Sequence, residues 1–157
     1  MHYQEIEGDL IKLAQQGTFE VIAHGCNCMC TMGAGIAPQM AKAFGADKFV
    51  MEGEEYRGDI NKLGQIDYDT FPVLGLTVVN AYTQYNYGRN HIDGDIAPID
   101  YVAFTMCMRK MNHIFKGKHI GMPKIGAGLA GGDWQLIHQI IVRELKDCIV
   151  TVVIYKP

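Results

Sequence analysis

No apolar run in the sequence approaches the roughly 18 residues that a membrane-crossing helix needs, so no membrane partner is expected. There is no basic tract either. The 14 Lys and Arg are outnumbered by 17 Asp and Glu, and the formal charge is −3. Lys and Arg nowhere interleave with aromatics, which excludes a nucleic-acid surface built on phosphate neutralisation. One phosphate-bearing ligand stays open, because backbone amides at a helix start hold an anion without Lys or Arg. The opening MHYQEIEGDL carries early acids and no apolar h-region, so no signal peptide is expected. With no export signal and an odd count of five cysteines, reduced thiols and a cytoplasmic setting are expected. Repeats, low-complexity tracts and linkers are absent, and nothing resembles a carboxylate cage for magnesium.

What is present is a chain of 157 residues, 48% hydrophobic and 20% charged, which reads as one globular domain over residues 1–157. Its elements alternate. Short strands are expected at 2–7, 20–24, 64–70, 73–81, 118–123 and 149–155. Helices are expected at 10–15, 35–44 (with Pro38 in the first turn and Gly45 as the stop), 98–116 and 133–147. On the third helix, Val102, Met106 and the 109–115 stretch fall at helical spacing, and Met106, Met108 and Met111 read as core filler. Residues 46–63 are charged and give no clear pattern. Residues 82–97, with Tyr82, Tyr85, Tyr87 and Arg89, read as a long loop, either a lid or ordinary packing.

Strand–helix alternation implies right-handed crossovers and an α/β sheet covered on both faces. Ligands of such sheets sit beyond the carboxyl ends of the strands. Two glycine-rich loops each follow a strand and precede a helix, so both belong at that end. The first is Cys30-Thr31-Met32-Gly33-Ala34-Gly35-Ile36-Ala37. The second is Lys124-Ile125-Gly126-Ala127-Gly128-Leu129-Ala130-Gly131-Gly132-Asp133. Their glycines admit close ligand approach or serve only as tight turns. Neither loop is a Walker A motif, and the first lacks the glycine spacing of a Rossmann fingerprint.

Four segments taken in order resemble a macro domain: Gly8-Asp9-Leu10, His24-Gly25-Cys26-Asn27, Met32 to Ala37, and Gly126 to Gly131. The resemblance covers nearly the whole chain. It is to the compact branch that includes ADP-ribose-1″-phosphate phosphatases and the terminal ADP-ribose protein glycohydrolase, with phage-encoded members of similar look. It implies a mixed, mostly parallel central sheet with helices on both faces. It also implies a small-molecule ligand, ADP-ribose or a derivative, and admits an ADP-ribosylated protein as partner. Asp9 would accept from the adenine amino group, beside the Leu10 amide. Asn27 would contact the distal ribose, and Gly33, Ala34, Gly35, Ile36 and Ala37 would line ribose and diphosphate. Gly126, Ala127, Gly128, Leu129, Ala130 and Gly131 would wrap the phosphates, and Tyr155 would pack on adenine. The chain departs from the family pattern at His24, where many members have Asn. Gln84 and Ala130 stand where the glycohydrolase has its lysine nucleophile and acidic partner.

The expected activity is hydrolysis of ADP-ribose-1″-phosphate to ADP-ribose and phosphate. The alternatives are removal of ADP-ribose from a protein, and binding without turnover. Phosphoester hydrolysis needs an in-line water, charge stabilisation and a proton for the leaving oxygen. His24, expected to end its strand at the mouth, and Asp133 are the candidate proton-relay groups, with Asn27 orienting water or ribose. His24 can equally be structural, and Asp133 can be a helix N-cap. Cys26, Cys28 and Cys30 alternate in phase with His24. Residues on one strand face stand about 7 Å apart and no second cluster exists, so neither a metal nor a cofactor is expected. Buried, inert thiols are the simpler account.

Overall fold

The computed structural model describes residues 2–87, 99–127 and 131–156. The β-branched and apolar runs pair into one six-stranded sheet: β1 (His2–Gly8), β2 (Val21–Asn27), β3 (Ile66–Phe71), β4 (Leu76–Gln84), β5 (His119–Met122) and β6 (Ile149–Tyr155). Their order is β1-β6-β5-β2-β4-β3. All pairings are parallel except that of β3 with β4. Among the described residues the α-helices are α1 (Leu10–Gln15), α2 (Ala37–Phe44), α3 (Tyr101–Ile114) and α4 (Trp134–Glu144).

Alternation along each strand splits the core between the two faces. Val21, Ala23, Val79, Ala81, Val150 and Val152 pack with Phe104, Met108 and Met111 of α3 and Ile137 and Ile141 of α4. Ile22, Val78 and Val153 pack with Leu10 and Ile11 of α1 and Met40 and Phe44 of α2. Phe104, Met108 and Met111 are fully buried, each contributing roughly 1.5–3 kcal/mol relative to exposure. Val102 and Met106, expected on the packing face, are 70% and 40% exposed. The stripe that meets the sheet is Ala103, Phe104, Cys107, Met108 and Met111, the i, i+1, i+4, i+5, i+8 set of a single face.

Two strands run further than their apolar runs suggest. β2 continues through His24, Gly25, Cys26 and Asn27 because β4 continues beside it, pairing Gly25 with Ala81 and Asn27 with Gln84. Tyr82, expected in a loop, is therefore a fully buried strand residue. The charged stretch after α2 folds into four short 3₁₀ turns: Ala46–Lys48, Val50–Glu52, Glu54–Tyr56 and Ile60–Lys62. Among the described residues no helix is long and apolar enough to cross a membrane.

Candidate binding site

The loops that leave the carboxyl ends of β1, β2, β4, β5 and β6 enclose a cavity of about 900 Å³. Its walls include Asp9, Leu10, Gly25, Cys26, Asn27, residues 31–37, Thr83, Gln84, residues 123–127 and Tyr155. One end is built by β1 and β6. Gly8 pairs with Tyr155, which sets Asp9 beside that exposed ring. Asp9 is the N-cap of α1, its Oδ1 accepting from the Lys12 amide at 3.1 Å. The only other Lys, Arg, Asp or Glu on the described lining is Lys124, whose Nζ stands 5.2 Å over the Trp134 ring.

The first glycine loop is tied by Asn27. Its Nδ2 donates to the Thr31 carbonyl at 2.8 Å, and its Oδ1 accepts from the Met29 and Thr31 amides at 3.0 and 3.3 Å. The second Asn27 N–H has no partner among the described residues. Gly35 then takes a left-handed φ of 63°, which glycine adopts without strain. α2 starts at Ala37 with no side chain capping it. Ile36 and Ala37 at its start line the cavity, and uncapped amides of this kind can hold an anion. Across from it, the second loop closes where the Gly132 amide donates to the Gly126 carbonyl at 2.6 Å. A Cβ on Gly126 would overlap the Ile99 side chain.

No family model matches the chain. An uncharacterized 17.5 kDa protein from the tk–vs intergenic region of Enterobacteria phage T4 is 35% identical over 162 residues, covering 97% of this chain and 96% of that protein. The macrodomain of Thermus aquaticus DarG matches with a TM-score of 0.70 at 20% identity, over 99% of this chain and 98% of that one. Thermosipho africanus DarTG in complex with ADP-ribose matches with a TM-score of 0.66 at 18% identity, over 100% of this chain and 42% of that one. The chain has the macrodomain fold and belongs to one family with the phage T4 protein.

Within this macro domain the sequence-derived residues divide. Asp9, Leu10, Asn27, Gly33, Ala34, Gly35, Ile36, Ala37, Gly126, Ala127 and Tyr155 all border the cavity. Gly131 is exposed and off the lining. Gly128, Leu129 and Ala130, and the loop residue Arg89, lie outside the described residues.

His24 requires correction. It does not end its strand at the mouth; it lies mid-β2, fully buried, and is absent from the cavity lining. Asn80 Nδ2 donates to the Ala46 carbonyl at 2.9 Å, so Oδ1 faces the ring, and His24 Nε2 donates to it at 2.6 Å. Burial pushes the His24 pKa down to about 4. The imidazole is a neutral core group and has no path to a substrate proton. Asp133 is corrected in position too. It caps α4, accepting from the Gln135 amide at 3.0 Å, its own amide donates to Tyr101 Oη at 2.9 Å, and it lies off the cavity lining.

Burial holds two of the three thiols inert: Cys26 rises well above its ordinary range, and Cys28 is pushed up to about 11. Tyr85 ties down a turn by donating to the Gly58 carbonyl at 2.7 Å, whereas Tyr87 reaches the cavity. Sequence reasoning missed Thr83 and Lys124 as lining residues. The signal for Thr83 is its phase: it continues the Val79, Ala81 face of β4 beyond the apolar run.

Proposed function

We propose that this macro domain binds ADP-ribose in the cavity. The observation that carries the reading is the order of groups along the cleft. A carboxylate and an aromatic ring stand at the β1–β6 end, with uncapped helix amides opposite a glycine loop in the middle. A polar floor follows at β2 and β4. Adenine suits the Asp9 and Tyr155 end, the diphosphate suits the amides, and the distal ribose suits the end at Asn27. Thermosipho africanus DarTG, of the same fold, is a complex with ADP-ribose, which supports the choice of ligand. An ADP-ribosyl group carried on a protein is the second form of ligand this reading admits.

Turnover of ADP-ribose-1″-phosphate, or release of ADP-ribose from a protein, asks for an acid–base group at the distal end. Among the described residues, the two candidates are committed elsewhere: His24 is sealed in the core and Asp133 caps α4. Binding without turnover is the reading we adopt. Calorimetric titration with ADP-ribose, using AMP and ribose-5-phosphate as controls, tests it. Heat with ADP-ribose at micromolar affinity, about −8 kcal/mol, together with no phosphate released from the 1″-phosphate, is the expected result. No heat with any of the three overturns the ligand, and steady phosphate release overturns binding without turnover.

A further inference from the structure

Thr83, near the end of β4, is fully buried yet borders the cavity. Its Oγ1 has no hydrogen-bond partner among the described residues. An unpaired buried hydroxyl is destabilising, and valine has the same shape without that cost. The neighbouring strand makes room for it. A Cβ at Gly25 of β2 would stand 3.0 Å from Thr83 Oγ1 and 2.9 Å from Ile125 Cγ2. Nearby polar groups are largely committed: Asn27 Oδ1 accepts two amides, and Gln84 Nε2 donates to the Asn86 carbonyl at 2.8 Å.

Sheet order gives the hydroxyl a place along the ligand. Asp9 follows β1, and Thr83 sits four strands away in the order β1-β6-β5-β2-β4. At about 4.8 Å per strand this is roughly 19 Å, beyond the anion-binding amides of α2. Among the described lining residues the one cation is Lys124, whose Nζ lies over the Trp134 ring. A hydroxyl that can both donate and accept matches a sugar hydroxyl, which also does both, better than a phosphate, which only accepts.

We propose that Thr83 hydrogen-bonds the sugar at the end of the ligand remote from Asp9 and so sets the preference for ADP-ribose over ADP; this rests on the ADP-ribose reading above. The test is titration of the wild type, Thr83→Val and Thr83→Ser with ADP-ribose and with ADP, alongside thermal melting. Thr83→Val should weaken ADP-ribose about tenfold, the scale of one lost hydrogen bond. ADP should bind as before, Thr83→Ser should restore ADP-ribose, and Thr83→Val should melt at or above the wild type. Thr83→Ala deletes the hydroxyl a second way should the valine not fold. Unchanged ADP-ribose affinity in the hydroxyl-deleted variant, or an equal loss for both nucleotides, overturns this inference alone. A wild type that binds neither nucleotide overturns the ADP-ribose reading and this inference with it.

Discussion

Lys62 and Glu52 form an ion pair sealed from solvent, with Nζ 3.5 Å from Oε2 and side chains only 1% and 2% exposed. The Tyr82 hydroxyl donates to the same Glu52 oxygen at 2.8 Å, and the ammonium lies 4.4 Å from the centre of the Tyr82 ring. Lys62 also donates to Cys30 Sγ at 3.2 Å. The cluster pins the 3₁₀ turns to β4 and to the loop that carries Thr31. Lys62→Met leaves Glu52 buried without its counter-ion and should cost about 3–5 kcal/mol. Adding Glu52→Leu should recover much of that loss. Urea unfolding of the single and double variants checks both expectations.

His24 makes stability depend on pH. Its folded pKa of about 4 lies below the ordinary value of 6.5, so below 6.5 the unfolded chain takes up a proton that the folded chain refuses. The contribution is full above pH 6.5 and is lost as pH falls from 6.5 towards 4, amounting at most to something on the order of 3 kcal/mol. Unfolding free energies at pH 7 and pH 5 should therefore differ more for the wild type than for His24→Asn. An equal pH slope in the two proteins would mean that the ring is already charged or not buried.

Asp9 caps α1, and the proposed contact with adenine gives it a second role that substitution can separate. Asp9→Ser keeps a cap for α1 and removes the carboxylate; Asp9→Ala removes both. Serine should fold as stably as the wild type while binding ADP-ribose more weakly. Alanine should bind as weakly and lose about 1 kcal/mol more stability. Paired calorimetry and thermal melting read the two effects.

Asp133→Ala should lose about 1 kcal/mol of stability through the α4 cap and leave ADP-ribose affinity unchanged. Asp133→Ser should restore the stability. A large loss of affinity in the serine variant would put Asp133 at the ligand after all.

The two glycine loops respond differently to alanine. Gly126 has φ 78°, and a Cβ there would overlap Ile99 and stand 3.2 Å from Ile137 Cδ1. Gly126→Ala should cost at least about 2 kcal/mol. Gly33 has no left-handed φ, and its nearest neighbour to a Cβ is Thr31 Cγ2 at 3.9 Å. Gly33→Ala should change stability by under about 0.5 kcal/mol while narrowing the cavity and weakening the ligand.

Much of the fold was legible locally. The α1 bounds, the stop of α2 at Gly45 and the final strand follow from capping and apolar period, signals that lie within a few residues of what they specify. The convergence of the two glycine loops followed from strand–helix alternation and the rule that such loops share one end of the sheet. The extents of β2 and β4 were not legible. Neither His24-Gly25-Cys26-Asn27 nor Tyr82-Thr83-Gln84 looks like a strand alone, and each is one because the other pairs with it.

By itself, then, the sequence determined the order of the elements, their caps and turns, and the pair of loops around the cavity. These depend on residues close in the chain. Only the tertiary structure decided which polar side chains face a ligand. His24 and Thr83 both lie on strands and both carry an unpaired polar atom among the described residues. They differ in what covers them. His24 is enclosed with Asn80 in the core, and Thr83 borders the cavity beside Gly25. Burial is set by elements distant in sequence, and it moved the imidazole out of the chemistry and brought the hydroxyl to the cavity.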